Sequence, residues 1–260
     1  MNTLAQPPHS ALAESLVFTR RIFRHWRRSP VVPVQSVLFP LVMLVTYYLL
    51  ISRSMARVTG TDKLDVLVAI CAIGGGMSGA LGSAMTLPQD RKSGLISRVW
   101  TLPIRRSSLL TGALLAEAAR TFVCTVLTLL LGLTMGFRFG GTWYQLIVFA
   151  LLPSLVVVIF TMMVTAITVK SQNGSVLTWM AMAVFGMVFG SAVPAEMAPG
   201  LLQPLMRNQP MAVVIDSMRS MANAQPAAVS LLIAVCWFVL LGAVFGPFAV
   251  RRCRAAAESA

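Results

Sequence analysis

Acid is nearly missing from this chain. Eight Asp and Glu stand against 21 Lys and Arg, and charged residues of both signs fill only 11% of its 260 positions. Soluble domains carry about 25%, so a soluble enzyme or binding module is excluded. Histidine is scarcer still. His9 and His25 both lie ahead of the first apolar run, which leaves no histidine-built metal centre and no nucleophile–base set within the apolar body. Cysteine is limited to Cys71, Cys124, Cys236 and Cys253, with no C-x-x-C among them. Three of the four fall in apolar runs, where cysteine serves as a small packing residue, and no disulfide is expected. The phosphate-cradling pattern G-x-x-x-x-G-K-S/T is absent, so the chain is not expected to bind ATP in the usual way. The first 15 residues show no charged stretch followed by an apolar core, so no cleaved signal peptide is expected.

What fills the chain is hydrocarbon: 57% of residues are hydrophobic, and the mean hydropathy is +0.79. A helix needs about 20 apolar residues to cross a bilayer. Six runs qualify, near residues 31–52, 64–87, 109–136, 143–169, 174–193 and 227–250. They are long and continuous, not short and alternating, so they read as helices and not as barrel strands. The expected fold is an all-α integral membrane protein with six transmembrane helices in one transmembrane domain over residues 1–260. The net charge of +13 does not indicate nucleic acid. Its bearers are dealt out between spans and form no single basic domain.

Their distribution orients the chain. Arg20, Arg21, Arg24, Arg27 and Arg28 precede the first run. Arg91, Lys92, Arg98, Arg105 and Arg106 lie between the second and third, Lys170 between the fourth and fifth, and Arg251, Arg252 and Arg254 after the sixth. The other side holds Arg53, Arg57, Lys63, Arg138, Arg207 and Arg219. Basic residues concentrate on the cytoplasmic side, so both termini are expected inside and the protein in the cytoplasmic membrane as a multi-pass protein.

Two flanking stretches are not spans. Residues 11–28 place Leu12, Leu16, Thr19, Phe23 and Trp26 along one face, with Arg20, Arg24 and Arg27 opposite. That pattern predicts an amphipathic helix lying in the inner interface, with Trp26 at headgroup level and Pro30 ending it. Residues 194–226 hold five prolines and are too interrupted to span. Met211, Val214, Ile215, Met218 and Met221 share one helical face there, and Asp216 is spaced to pair with Arg219. One or two short helices on the outer side are expected before the last span.

The basic stretch "QDRKSGLISRVWTLPIRRSSLLTG" at 89–112 has internal order. Asp90 and Ser93 are placed to cap a short helix. Leu95, Val99 and Leu102 give it an apolar face, Pro103 stops it, and Ser107 and Ser108 are placed to cap the next helix. Anchoring of the flanking spans is one reading. A short amphipathic helix that docks in a groove on a partner is the other.

This stretch resembles the signature of ABC-2-type exporter permeases, most closely the daunorubicin-resistance branch of actinobacteria. The resemblance rests on Asp90, Arg91, Gly94, Leu95, Arg98, Leu102, Pro103 and Arg106. Lys92 departs from it, standing where many members carry Glu. "FRFGG" at 137–141 and the segment 201–222, around Gln209, Pro210 and Arg219, resemble the outer loop and late extracellular segment of the same branch. The resemblance implies that the region around 89–106, Val99 included, is a coupling helix seated on a separate ABC ATPase present in two copies. ATP and Mg would sit on that ATPase, and no cofactor on this chain. It also implies a second permease, identical or homologous, and a hydrophobic drug or complex lipid as cargo. An ion-coupled secondary transporter is the alternative, and a membrane-embedded enzyme a third.

Within the apolar runs three features remain. Glu117 and Arg120 lie one helical turn apart, with Glu117 about 12 Å beyond Leu109. They read either as a structural pair or as a gate or coupling element. The stretch "GGGMSGALGSA" at 74–84 offers Gly75, Ser78, Gly79 and Gly82 for close helix approach. That approach serves either packing within the chain, or a permease pair or cargo path. Met162, Met163, Met180, Met182 and Met187 suit an adaptable apolar wall or lipid contact.

Overall fold

The computed structural model describes residues 11–28, 30–59, 64–92, 106–168, 174–190, 203 and 208–258. Among the described residues there are eight helices and no strand. They are α1 Ala11–Arg28, α2 Val31–Thr59, α3 Leu64–Lys92, α4 Arg106–Thr134, α5 Trp143–Thr168, α6 Gly174–Gly190, α7 Pro210–Ala222 and α8 Ala228–Glu258. Five are long and apolar enough to cross a membrane, through the segments Pro33–Leu50, Leu64–Ala84, Leu110–Thr134, Trp143–Ile167 and Ala228–Arg251. The other expected run is helical too. Its helix α6 has 17 residues, about 25 Å at 1.5 Å per residue, and its expected continuation to Val193 lies outside the described residues.

The central helix is α3. Every residue from Val68 to Leu81 is buried, and α2, α4, α5, α6 and α7 all pack on it. The glycines of "GGGMSGALGSA" make this crowding possible. Gly75 lies under the ring of Pro40 in α2, and Gly76 meets Thr121 of α4 and Val157 of α5. A Cβ at 76 would fall 2.6 Å from Thr121 Cγ2 and from Val157 Cγ2. The small-residue stretch therefore serves packing within the chain. Lipid tails are as apolar as leucine, so helices associate in a bilayer through such close contact and not through hydrophobic burial. Leu44, Ile70, Ile73, Met77, Phe149, Leu152, Met218 and Met221 complete the core.

The helix in the proline-rich late segment is α7, and its face is the expected one. Val213, Val214, Ile215, Met218 and Met221 are buried against α3, α5 and α8, so it packs into the bundle. Arg219 does not turn along its own helix to Asp216; its Nε lies 3.7 Å from Asp65 Oδ2 at the start of α3. Asn223 Nδ2 donates to the same carboxylate oxygen at 2.6 Å. Beside them the Gly140 amide donates to the Ala222 carbonyl at 2.8 Å. The start of α3, the α4–α5 turn and the end of α7 thus meet at one end of the bundle.

At the opposite end, α1 packs along the first turns of α4. Ser15 Oγ and Thr111 Oγ1 share a hydrogen bond of 2.6 Å, and Thr19 Oγ1 donates to the Gly112 carbonyl at 3.0 Å. Gly112 admits the contact, because a Cβ there would meet Phe18 and the Ser15 carbonyl. The buried stripe of α1 is Ser15, Phe18 and Trp26, while Leu16 and Phe23 of the expected apolar face remain exposed. The stripe is rotated from the expected face because α4 offers a small, polar seat that receives serine and threonine.

Candidate functional site

Glu117 and Arg120 are 3% and 5% exposed, on the side of α4 that faces α3. Arg120 Nη2 bonds Glu117 Oε2 within one turn of the helix. Ser83 Oγ of α3 donates to the other carboxylate oxygen, Oε1, at 2.6 Å. Arg120 Nη2 also donates to the Gly76 carbonyl of α3 at 3.3 Å. A charge this deep is stable only when paired and hydrogen-bonded, and α3 completes the set that α4 begins.

Space for the guanidinium comes from Gly79. Any Cβ at that position would fall on Arg120 Nη1. On the remaining side the Trp26 ring lies 5.6 Å from the guanidinium carbon. Arg120 Nε and Nη1 have no oxygen or nitrogen acceptor among the described residues; the electron-rich face of Trp26 is what stands beside the cation. Phe23 meets Trp26 edge-on, with ring centroids 5.3 Å apart. One ion pair is therefore held by three helices: α4 supplies both charges, α3 supplies Ser83, the Gly76 carbonyl and the gap at Gly79, and α1 supplies Trp26.

Polarity continues along the same side of α4. Thr121, Cys124, Thr125 and Thr128 are buried. Thr125 and Thr128 donate to carbonyls one turn back, Thr121 O and Cys124 O. Cys124 Sγ lies 3.1 Å from the Ser36 carbonyl of α2, a weak thiol donor contact. Cys71, Cys124 and Cys236 are free thiols. A different kind of surface lies on α2. Leu38, Phe39, Val42, Met43, Tyr47 and Leu50 line an open, almost wholly apolar groove of about 620 Å³.

Some of the residues expected to carry function lie among the described ones. Glu117 and Arg120 come together as a buried pair. Asp90 and Arg91 lie within the last turn of α3, which runs on to Lys92. Asp90 therefore continues α3 and does not open a new helix. Arg106 is the first residue of α4, so Ser107 and Ser108 fall inside its first turn and not at its cap. Gly94, Leu95, Arg98, Val99, Leu102 and Pro103 lie outside the described residues. Sequence reading missed Ser83 and the position of Trp26, which was expected at headgroup level and is buried on Arg120; it singled out Gly79 for close helix approach but not as the space for the guanidinium. The i, i+3 spacing of the charges was visible. Nothing local to Ser83 announces a bond to a residue 34 positions away.

Comparison with known proteins points in one direction. Residues 58–251 match the family model described as ABC-2 family transporter protein. The chain is 27% identical over 228 residues to a probable doxorubicin resistance ABC transporter permease protein DrrC of Mycobacterium tuberculosis (strain CDC 1551 / Oshkosh), covering 87% of this chain and 83% of that one. The DrrC protein of strain ATCC 25618 / H37Rv gives the same figures. It is 25% identical over 249 residues to the daunorubicin resistance ABC transporter permease protein DrrB1 of Streptomyces coeruleorubidus, covering 93% and 86%.

Proposed function

The chain belongs to the ABC-2 family of transporter proteins and is the permease subunit of an ABC exporter, and from that premise we propose how it couples and what it carries. The cargo is a hydrophobic drug or a complex lipid. The relatives are named for doxorubicin and daunorubicin resistance. The open groove on α2 is apolar, and Glu117, the acid far from either end of an apolar helix, is committed to Arg120 and Ser83. A carboxylate held in that way does not suit an ion-coupled carrier.

Six spans with both termini inside, in the cytoplasmic membrane, fit the charge distribution and the grouping of Asp65, Gly140 and Asn223 at one end of the bundle. The segment around 89–106 then faces the cytoplasm and seats on the ATPase, whose two copies bind ATP and Mg. Asp90, Arg91, Gly94, Leu95, Arg98, Val99, Leu102, Pro103 and Arg106 make that contact. A second permease, identical or homologous, completes the path.

The observation that carries the coupling reading is the Glu117–Arg120 clamp. Ser83 lies about 14 Å from the end of α3 and Glu117 about 16 Å from the start of α4. Those two ends are joined by residues 93–105. A push on that connection meets two legs already bolted together, so it moves α3 and α4 as one body. Co-purification of the permease with its ABC ATPase partner tests this directly. Leu95→Asp and Val99→Asp are expected to lower recovery of the ATPase while leaving permease insertion intact. Wild-type association and transport in both variants would remove the coupling role from this segment.

A further inference from the structure

We propose that α1 is a receptor for anionic phospholipid headgroups, and that Trp26 carries its occupancy to the Glu117–Arg120 pair. Three faces follow one another around this helix at 3.6 residues per turn. The first is the seat on α4, made by Ser15, Phe18 and Trp26. The second is an apolar flank, with Leu16 61% and Phe23 39% exposed. The third, bordering that flank, carries Arg20, Arg24 and Arg27, all exposed. No acidic residue occurs between Ser15 and Pro30 to neutralise them.

This order is what a helix half-sunk at a bilayer surface presents. The apolar flank enters the acyl boundary, and the arginines beside it extend their apolar stems outward and place guanidinium groups among the phosphates. Position along the chain agrees. Just beyond α1, α2 begins at Val31, and its exposed Val31, Val34 and Leu38 continue an apolar surface. A cationic face meant for an acidic protein would not need Leu16 and Phe23 uncovered at its margin. Anionic headgroups are favoured over zwitterionic ones because the charged side chains on this face, Arg20, Arg24 and Arg27, are all of one sign.

The consequence comes from Trp26. It is on the seat, its ring covers the Arg120 guanidinium, and Phe23 of the apolar flank packs edge-on against it. Lipid that holds the flank and the arginines therefore presses α1 onto α4 and keeps the ring in place. Without it, the seat on α4 holds α1 unaided by lipid, and the third side of the ion pair loosens.

The experiment uses the purified full-length permease in mixed micelles of phosphatidylglycerol and phosphatidylcholine in equal parts. Co-purifying lipid is quantified and thermal unfolding is followed with and without phosphatidylglycerol. Wild type is expected to enrich phosphatidylglycerol and to be stabilised by it. Arg20→Gln/Arg24→Gln/Arg27→Gln is expected to lose that enrichment, on the order of fivefold for each charge removed. Arg20→Lys/Arg24→Lys/Arg27→Lys is expected to keep it. Trp26→Leu is expected to keep the enrichment and lose the stabilisation. Undiminished enrichment in the glutamine variant, or its loss in the lysine variant, overturns the receptor. Full stabilisation of Trp26→Leu by phosphatidylglycerol overturns the role of Trp26. A glutamine variant that keeps its lipid but no longer holds the ATPase assigns this face to a protein partner, and overturns the proposal as well.

Discussion

Ser83 of α3 donates to the carboxylate of Glu117 at 2.6 Å, across the contact between the two helices that the 93–105 segment connects. The bond converts an ion pair local to α4 into a joint between α3 and α4. Arg120 strengthens it through the Gly76 carbonyl, and Trp26 closes it from α1. The energetics of such a joint are lopsided. Desolvating two charges roughly cancels their attraction, so the pair adds little net stability, but losing one partner strands the other at a cost of about 3–5 kcal/mol.

That asymmetry separates a structural role from a coupling role. Arg120→Met and Glu117→Leu, taken singly, are expected to lower the melting temperature sharply, by the equivalent of about 3–5 kcal/mol. Glu117→Leu/Arg120→Met together should recover most of the loss, since two apolar side chains can refill a buried pair. Fluorescence-detected thermal melts in detergent read the first part. ATP-dependent transport by the stable double variant reads the second. A double variant that is stable and transports at the wild-type rate makes the pair structural alone; stability without transport makes it part of the coupling path.

Gly79 is expected to resist replacement because of the ion pair beside it. Gly79→Ala puts a methyl group on Arg120 Nη1, and the guanidinium has buried helices on its other sides. The variant should behave like Arg120→Met, and should gain stability back when combined with Glu117→Leu/Arg120→Met, because shortening residue 120 clears the space. Gly242→Ala in α8 is the control. Nothing lies within 4 Å of its added Cβ, so it should be neutral or stabilising by about 0.5–1 kcal/mol. Equal melting temperatures for Gly79→Ala and Gly242→Ala would contradict the packing seen around Arg120.

The long helices were legible because hydrocarbon imposes one rule on all of them, about 20 apolar residues in a row. Which of them lies inside was not. Pro33–Leu50, Leu64–Ala84 and Ala228–Arg251 are all strongly apolar, yet 17%, 78% and 6% of those segments are buried. Lipid and protein interior solvate an apolar side chain alike, so hydropathy carries no sign of the difference. Glycine does, and the run from Gly74 to Gly82 marks the helix that proved central. The face of α7 was legible because it packs against protein on one side only. That of α1 was read rotated, since Leu16 and Phe23 form an exposed apolar flank beside the seat that Ser15 and Phe18 make. Tertiary partners such as Ser83 for Glu117 and Asp65 for Arg219 depend on how helices are arranged, which no local pattern encodes.

Trp26 offers a further check on the three-helix joint. Trp26→Phe keeps an aromatic face but a weaker one, and Trp26→Leu keeps bulk without the π surface. The expected order of melting temperatures is wild type, then phenylalanine, then leucine, with a spread of about 0.5–2 kcal/mol from the lost cation–π contact. In the Glu117→Leu/Arg120→Met background the same two substitutions should differ little from each other, because the cation is gone. A spread that persists there would show that Trp26 acts by packing on α4 alone.

The two ends of the bundle give the topology its test. Arg24 in α1 and Asn223 after α7 are both exposed, and they belong to opposite ends. One is on α1, which packs on the first half of α4, and the other bonds Asp65 at the start of α3. With the native cysteines replaced by alanine, Arg24→Cys and Asn223→Cys are each expected to insert and fold, because neither position is enclosed. In intact cells a membrane-impermeant maleimide should label Asn223→Cys readily and leave Arg24→Cys untouched until the membrane is opened. Asn223→Cys also removes a hydrogen bond to Asp65 but leaves the Arg219–Asp65 pair, an exposed contact worth at most about 1 kcal/mol, so its melting temperature should fall only slightly. Labelling of Arg24→Cys from outside would invert the orientation, place the 93–105 connection away from any cytoplasmic ATPase, and take the coupling mechanism with it.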